Sequence, residues 1–292
     1  MNLFRFSTGA ALALCLAAPA APAFAAPPGA AAASGAAASS ADSRPARLIL
    51  VGDSTMASRS GYGDALCQRL KPAVACVNLA RGGRSSASFR GEGLWRQVQS
   101  MLADGAAYRA SYVLIQFGHN DQPGKPGRST DLAGEFTPNM ARYAQEVAAL
   151  GGVPVLLTPL TRRSFKDGVL ENNLLPWAEA TRAGAAANRA TLLDLNADSH
   201  AAVQAMGEEQ ADTLAMAPRP TAPQAAAGAG APTSSATATA VDKIEPAGAA
   251  KTAFDRTHLG AKGAAYFAAM VEHELRTARP ELADAWKQET PP

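Results

Sequence analysis

The sequence predicts an α/β fold of three layers, α/β/α, built on a five-stranded, mainly parallel sheet. Three observations carry this. Five short apolar runs recur along the chain: "RLILV", "VACVNLA", "YVLIQFG", "VPVLLTP" and "ATLLDLN". Each is nearly continuously apolar rather than alternating, as expected of parallel strands covered on both faces. Segments with apolar residues at helical spacing lie between them, and strand–helix alternation of this kind builds a doubly wound sheet.

The elements follow in order. The first run (47–51) stops at Gly52 and gives way to Asp53, Ser54 and Thr55; a helix is expected in "GYGDALCQRL". The second run (74–80) leads into "RGGRSSASF". A helix in "GLWRQVQSMLADG", with Leu94, Val98, Met101 and Leu102 at helical spacing, precedes the third run (112–118). "FTPNMARYAQEVAALGG" precedes the fourth (153–159) and ends on a glycine pair, a helix stop signal. "LPWAEATRAGAAAN" precedes the fifth (190–196), and a final helix is expected from Gly263 to Leu275. Ligands of such sheets bind beyond the carboxyl ends of the strands, which right-handed crossovers bring to one edge.

The flanks read differently. Residues 1–25 combine Arg5, an apolar segment and Ala23-Phe24-Ala25, the pattern of a secretory signal cleaved after Ala25. Its apolar segment is too short and alanine-rich for a membrane span. Leu14 stands where lipid attachment at Cys15 would need a small residue, so no membrane anchor is expected. Residues 26–46 read as a disordered spacer, 47–280 as the folded domain and 281–292 as a C-terminal tail. Within the domain, about 213–250 reads as a low-complexity insertion with no periodicity and almost no charge.

Composition narrows the function classes. The net charge of +2 over 292 residues lacks the basic footprint of a nucleic-acid binder. Beyond the expected signal, the two remaining cysteines and four scattered histidines give no metal-ligand spacing. Cys67 and Cys76, in an exported chain, suggest a disulfide, worth about 2–3 kcal/mol if unstrained; two buried thiols are the alternative.

The segments that end the runs carry the chemistry. They are "GDST", "RGGRSSASF", "GHND" and, before the last helix, "DRTH". Gathered at one sheet edge, they supply a hydroxyl, a glycine amide, a side-chain amide, a carboxylate and an imidazole. A serine hydroxyl needs an adjacent base to act as a nucleophile at neutral pH. Histidine suits that task, and a carboxylate fixes its tautomer. A developing oxyanion needs preorganised N–H donors, which a closely approaching glycine and an asparagine provide. Singly, each residue has a plain structural use as a cap or turn residue; the set in this order is far more specific.

These four segments resemble the blocks of the SGNH hydrolases, or GDSL esterases, over about Leu48 to Phe267 outside the insertion. The resemblance implies a flavodoxin-like layering and no cofactor. Carried over, it makes Ser54 the nucleophile, His258 the general base and Asp255 its orienting acid. It makes Ser54 N–H, Gly83 N–H and the Asn120 amide the oxyanion hole. "GDSTMA", "GGRSSASF", "FGHND", "GYGDAL" and "DLNADS" are similar to the rhamnogalacturonan acetylesterase branch. That implies removal of acetyl groups from pectic or other plant cell-wall polysaccharides, outside the cytoplasm.

Substrate contacts are less determined. Arg84 is placed either to meet a uronate carboxylate or to be a solvated arginine or an internal ion pair. His119 is placed either against substrate or in a structural role. Trp95 and Trp177 either stack on sugar or cover helix–sheet junctions. Asp53 reads as a structural hydrogen-bonding residue, and His200 lacks a carboxylate three residues earlier. Other esters on the same scaffold, such as xylan acetyl, lipid, aryl or thioester, are the alternative within catalysis. A carbohydrate-binding protein without turnover is the alternative from another class.

Overall fold

The computed structural model describes residues 42–220 and 253–288. The expected signal and most of the spacer and insertion lie outside them. The strands are β1 (Ala46–Gly52), β2 (Ala75–Asn78), β3 (Ala110–Gln116), β4 (Val153–Leu157), β5 (Phe165–Lys166), β6 (Val169–Leu170) and β7 (Thr191–Leu193). The helices are α1 (Gly63–Arg69), α2 (Ser88–Gly91), α3 (Leu94–Ala103), α4 (Thr137–Ala149), α5 (Leu175–Ala187), α6 (Leu195–Met206), α7 (Glu208–Asp212) and α8 (Ala261–Ala278).

Five strands form one sheet in the order β2-β1-β3-β4-β7, every pairing parallel. Helices flank both faces, so the three-layer α/β/α class holds. The continuous apolar runs now have a physical reason. Leu48, Leu50, Leu114, Val155 and Leu157 join one core with α1, α6 and α8; Ile49, Val51, Val113, Ile115 and Leu156 join the other with α3, α4 and α5. Each fully buried side chain of this size stabilises the fold by about 1.5–3 kcal/mol.

The order reverses between β1 and β3, because the chain leaves β1 to one side for β2 and returns to the other for β3. Their carboxyl ends therefore flank a crevice at a topological switch point. Gly52 closes β1 there: a Cβ on it would stand 2.8 Å from the Gln116 carbonyl oxygen of β3.

The structure adds to the sequence reading in four places. Residues 165–170 form an antiparallel hairpin, with Asp167 and Gly168 at φ 52° and 79°, as a tight primed turn requires. The fifth run is a strand only to Leu193, and "LNADSHAAVQAM" is helix α6. The segment assigned to the start of the insertion is partly framework: Leu214 is buried, Ala215 pairs with Leu259, and the Leu214 carbonyl presses against Gly263 of α8. The stretch assigned to the tail turns through Pro280–Ala285 and buries Leu282 and Trp286, the latter 2% exposed and bridged to Leu70. Cys67 and Cys76 are joined by a disulfide that ties α1 to β2.

Candidate active site

Ser54 lies on the turn that leaves β1. Met56 and Ala57 N–H both donate to the Asp53 carbonyl, at 3.2 and 3.0 Å, folding the chain back on itself. Asp53 Oδ1 accepts from Thr55 N–H at 2.9 Å and Thr55 Oγ1 at 2.8 Å. Gln116 donates to Thr55 Oγ1 at 2.6 Å and accepts from Tyr62 at 2.7 Å. Asp53, Thr55, Tyr62 and Gln116 are all fully buried. Ser60 Oγ donates to the Ser54 carbonyl at 2.7 Å, and the Ser60 carbonyl accepts from Leu259 N–H at 2.9 Å. Through Ser60 the turn that carries Ser54 is joined to the residue that follows His258.

His258 stands over Ser54. Its Nδ1–H donates to Asp255 Oδ2 at 2.9 Å, which fixes the tautomer and leaves Nε2 to accept from Ser54 Oγ, also at 2.9 Å. Asp255 Oδ1 accepts from Thr257 and His258 N–H, at 2.8 and 2.7 Å. Burial opposes charge on Asp255, but the hydrogen bond and charge of His258, with these two amides, hold its carboxyl well below the ordinary carboxylate range. A hydroxyl, an imidazole and a carboxylate thus form one hydrogen-bonded chain.

Two further segments close on Ser54. The chain beyond β2 runs beside the end of β1, with Arg81 N–H on the Gly52 carbonyl at 3.0 Å. This sets the glycine pair against Ser54: a Cβ on Gly82 would stand 3.8 Å from Ser54 Cβ, and Gly83 takes φ 77°, a conformation glycine favours. From the end of β3, Asn120 Nδ2 donates to the Arg84 carbonyl at 3.1 Å, which fixes the amide beside that turn. Asp121 staples the two segments. It accepts from Ser86 Oγ at 2.6 Å, Thr130 Oγ1 at 2.9 Å and Gly118 N–H at 3.1 Å. Burial pushes its carboxyl up to about 6 despite these donors.

Other expected site residues are engaged elsewhere. Arg84 pairs with the exposed Glu92 at 2.8 Å and donates to the Gly82 carbonyl, which braces the glycine turn. His119 is 2% exposed, with Nδ1 facing Asp53 Oδ2 at 3.3 Å. Burial pushes its imidazole down toward the neutral form, against the pull of Asp53. Burial also opposes charge on Asp53, yet the His119 ring and the Thr55 donors hold that carboxyl below its ordinary range. Trp95 and Trp177 are buried in the helix–sheet core. His200 meets the Leu170 carbonyl of the hairpin. Among the described residues no group of three or more His, Cys, Asp or Glu is arranged to hold a metal, and no helix is long and apolar enough to cross a membrane.

Residues that sequence reasoning passed over support this arrangement: Ser60, Gln116, Asp121 and, in "LTRRSF" beyond β4, Arg163. Asp121 adjoins a motif residue, which is a usable signal. The others carry none, because their importance comes from where distant segments meet.

Comparison with known proteins agrees with the geometry. The model of the GDSL-like Lipase/Acylhydrolase family matches residues 50–266. Rhamnogalacturonan acetylesterase RhgT of Bacillus subtilis is 32% identical over 179 residues, 59% of this chain and 74% of that protein. YesY of the same organism is 29% identical over 176 residues, 58% of this chain and 79% of that protein. The crystal structure of Bacillus subtilis YxiM superposes with a TM-score of 0.57 at 22% identity, over 80% of this chain and 56% of that one, a likeness of fold.

Proposed function

The chain belongs to the GDSL-like lipase/acylhydrolase family, on its rhamnogalacturonan acetylesterase-like branch, and is a carboxylic ester hydrolase; we propose that it removes acetyl groups from plant cell-wall polysaccharides of the rhamnogalacturonan type. The observation that carries the mechanism is the unbroken chain from Ser54 Oγ through His258 to Asp255, 2.9 Å at each step.

Ser54 Oγ attacks the ester carbonyl carbon as its proton passes to His258 Nε2. Asp255 keeps the imidazole in the accepting tautomer and stabilises the imidazolium that forms. The carbonyl oxygen becomes an oxyanion received by Ser54 N–H, Gly83 N–H and Asn120 Nδ2–H. Asn120 Nδ2 carries two hydrogens; one is held by the Arg84 carbonyl, and the other is left for this contact. Collapse breaks the bond to the sugar oxygen, which takes the proton from His258 and departs as a hydroxyl, and leaves acetyl-Ser54. Water, deprotonated by His258, then adds to the acetyl carbon, and collapse breaks the bond to Ser54 Oγ, which takes the proton back from His258 as acetate leaves.

Two features support export. The first 25 residues have the order of a secretory signal, and the Cys67–Cys76 disulfide suits an oxidising compartment. A polymeric substrate outside the cytoplasm is consistent with both.

The test is acetate release by the mature protein from acetylated rhamnogalacturonan and acetylated xylan, beside Ser54→Ala. Release from the pectic polymer, abolished in the variant, is the expected result. Equal turnover by Ser54→Ala would remove the mechanism. Release from xylan alone would remove the pectic assignment and keep the mechanism.

A further inference from the structure

The block Asp255–His258 has no helix or strand of its own, yet all four of its carbonyls are occupied by one residue. Arg163 N–H donates to the Arg256 carbonyl at 2.8 Å. The Arg163 guanidinium donates to the carbonyls of Asp255 at 3.1 Å, Thr257 at 3.4 Å and His258 at 2.8 Å. Arg163 is fully buried, on the chain that leaves β4. Burial pushes its guanidinium down to about 10, against Asp255 and Asp212, so it stays charged at neutral pH. On the other side of the block, Arg256 is gripped by α7, with Nε 3.1 Å from Asp212 Oδ1 and Nη2 on Glu208.

We propose that Arg163 is a positioning residue of the reaction: its planar fork holds the backbone of residues 255–258 so that His258 Nε2 stays within hydrogen-bonding reach of Ser54 Oγ. This rests on Ser54, His258 and Asp255 being the catalytic set. Two properties of arginine fit the task. Its donors spread over separate nitrogens in a fixed plane, so one side chain spans three carbonyls, whereas the three donors of an ammonium radiate from a single atom. Its charge is met by carbonyl dipoles of the block itself, so the cation and the loop stabilise each other only in this arrangement. The geometry matters to rate because a base displaced by about 1 Å loses roughly a hundredfold.

The experiment compares wild type with Arg163→Lys and Arg163→Met. Three things are measured: kcat and KM on 4-nitrophenyl acetate, thermal unfolding by circular dichroism, and the low-field NMR proton of His258 Nδ1–H, assigned by its absence in His258→Ala. Both variants are expected to fold, to lose about 10- to 100-fold in kcat with KM within about twofold, and to lose or shift the low-field line. Arg163→Lys, which keeps the charge and loses the fork, is expected not to rescue. Wild-type kcat with an unchanged low-field line in either folded variant would overturn the proposal. So would full rescue by lysine, which would make charge alone sufficient, or failure of both variants to fold, which would make Arg163 a folding residue. If wild type cleaved no ester while the line was lost in both variants, the esterase reading would fall and the positioning role would stand.

Discussion

The turn that carries Ser54, the proposed nucleophile, and the block that carries His258, its proposed base, face each other across 2.9 Å and are built by opposite means. The turn from Asp53 to Gly63 is held largely by its own backbone. Tyr62 N–H donates to the Thr55 carbonyl and Gly63 N–H to the Met56 carbonyl, at 3.0 and 3.1 Å, besides the bonds on Asp53. The block Asp255–His258 makes its inner Asp255 bonds but otherwise depends on Arg163 and Asp212, which lie more than forty residues away in the chain. A local device tolerates little change in its own backbone. A device held from a distance is sensitive to side chains that touch neither substrate nor nucleophile.

That contrast can be sharpened by three substitutions of decreasing effect. Asn120→Ala, on the nucleophile side, is expected to lower kcat by about 10²–10³, some 3–4 kcal/mol of barrier, with little change in KM, because the lost contact is to the oxyanion. Steady-state kinetics on a small acetyl ester decides it; a change confined to KM would take Asn120 out of the oxyanion hole.

Gly61→Ala attacks the backbone of the turn itself. A Cβ there would stand 2.2 Å from the Thr55 carbonyl group and 2.4 Å from Met56 N, so backbone must move. A loss of about 2–3 kcal/mol in unfolding free energy is expected in urea denaturation, together with reduced turnover. A silent Gly61→Ala would break the comparison, since the turn would then be as compliant as any surface loop.

Glu274→Gln probes α8, the helix that the base block enters. Burial pushes the Glu274 carboxyl from 4.5 up to about 8, with Asp198 and Asp194 adding to the shift. The folded state therefore keeps a proton that the unfolded state releases near 4.5, and stability falls as pH rises through that window to about 8. The variant is expected to match wild type near about pH 5 and to exceed it by about 1–2 kcal/mol near about pH 8.5, read by urea denaturation at both values. A gap independent of pH would mean that Glu274 does not hold its proton in the fold.

The same contrast explains what could be read from sequence. The sheet was legible because each central strand buries both faces, which leaves a run such as Leu48–Val51 with no polar position. The motif residues Ser54, Gly83, Asn120, Asp255 and His258 were legible because each stands on a short turn beside a strand or helix end. Helix α6 was hidden because its first residues continue the apolar run of β7, and the two-residue strands β5 and β6 are too short to show a period. The parts of the site held from afar were not legible. Nothing in "LTRRSF" says that its second arginine will meet four carbonyls more than ninety residues later, and nothing in "ADAWK" says that Trp286 closes a core. Arg84 and His119 sit beside motif residues in the chain, but proximity in sequence did not decide which way they turned: one is paired with Glu92, the other sealed against Asp53.

The hydrogen bond between Ser54 and His258 spans 204 residues. Closing so long a loop costs chain entropy, and the packing of α8 against β1, β3 and β4 repays it. Because α8 follows the base block directly and also covers one face of the sheet, the same burial that completes the core brings the imidazole to the hydroxyl; loosening that helix would leave a hydroxyl with no base to arm it.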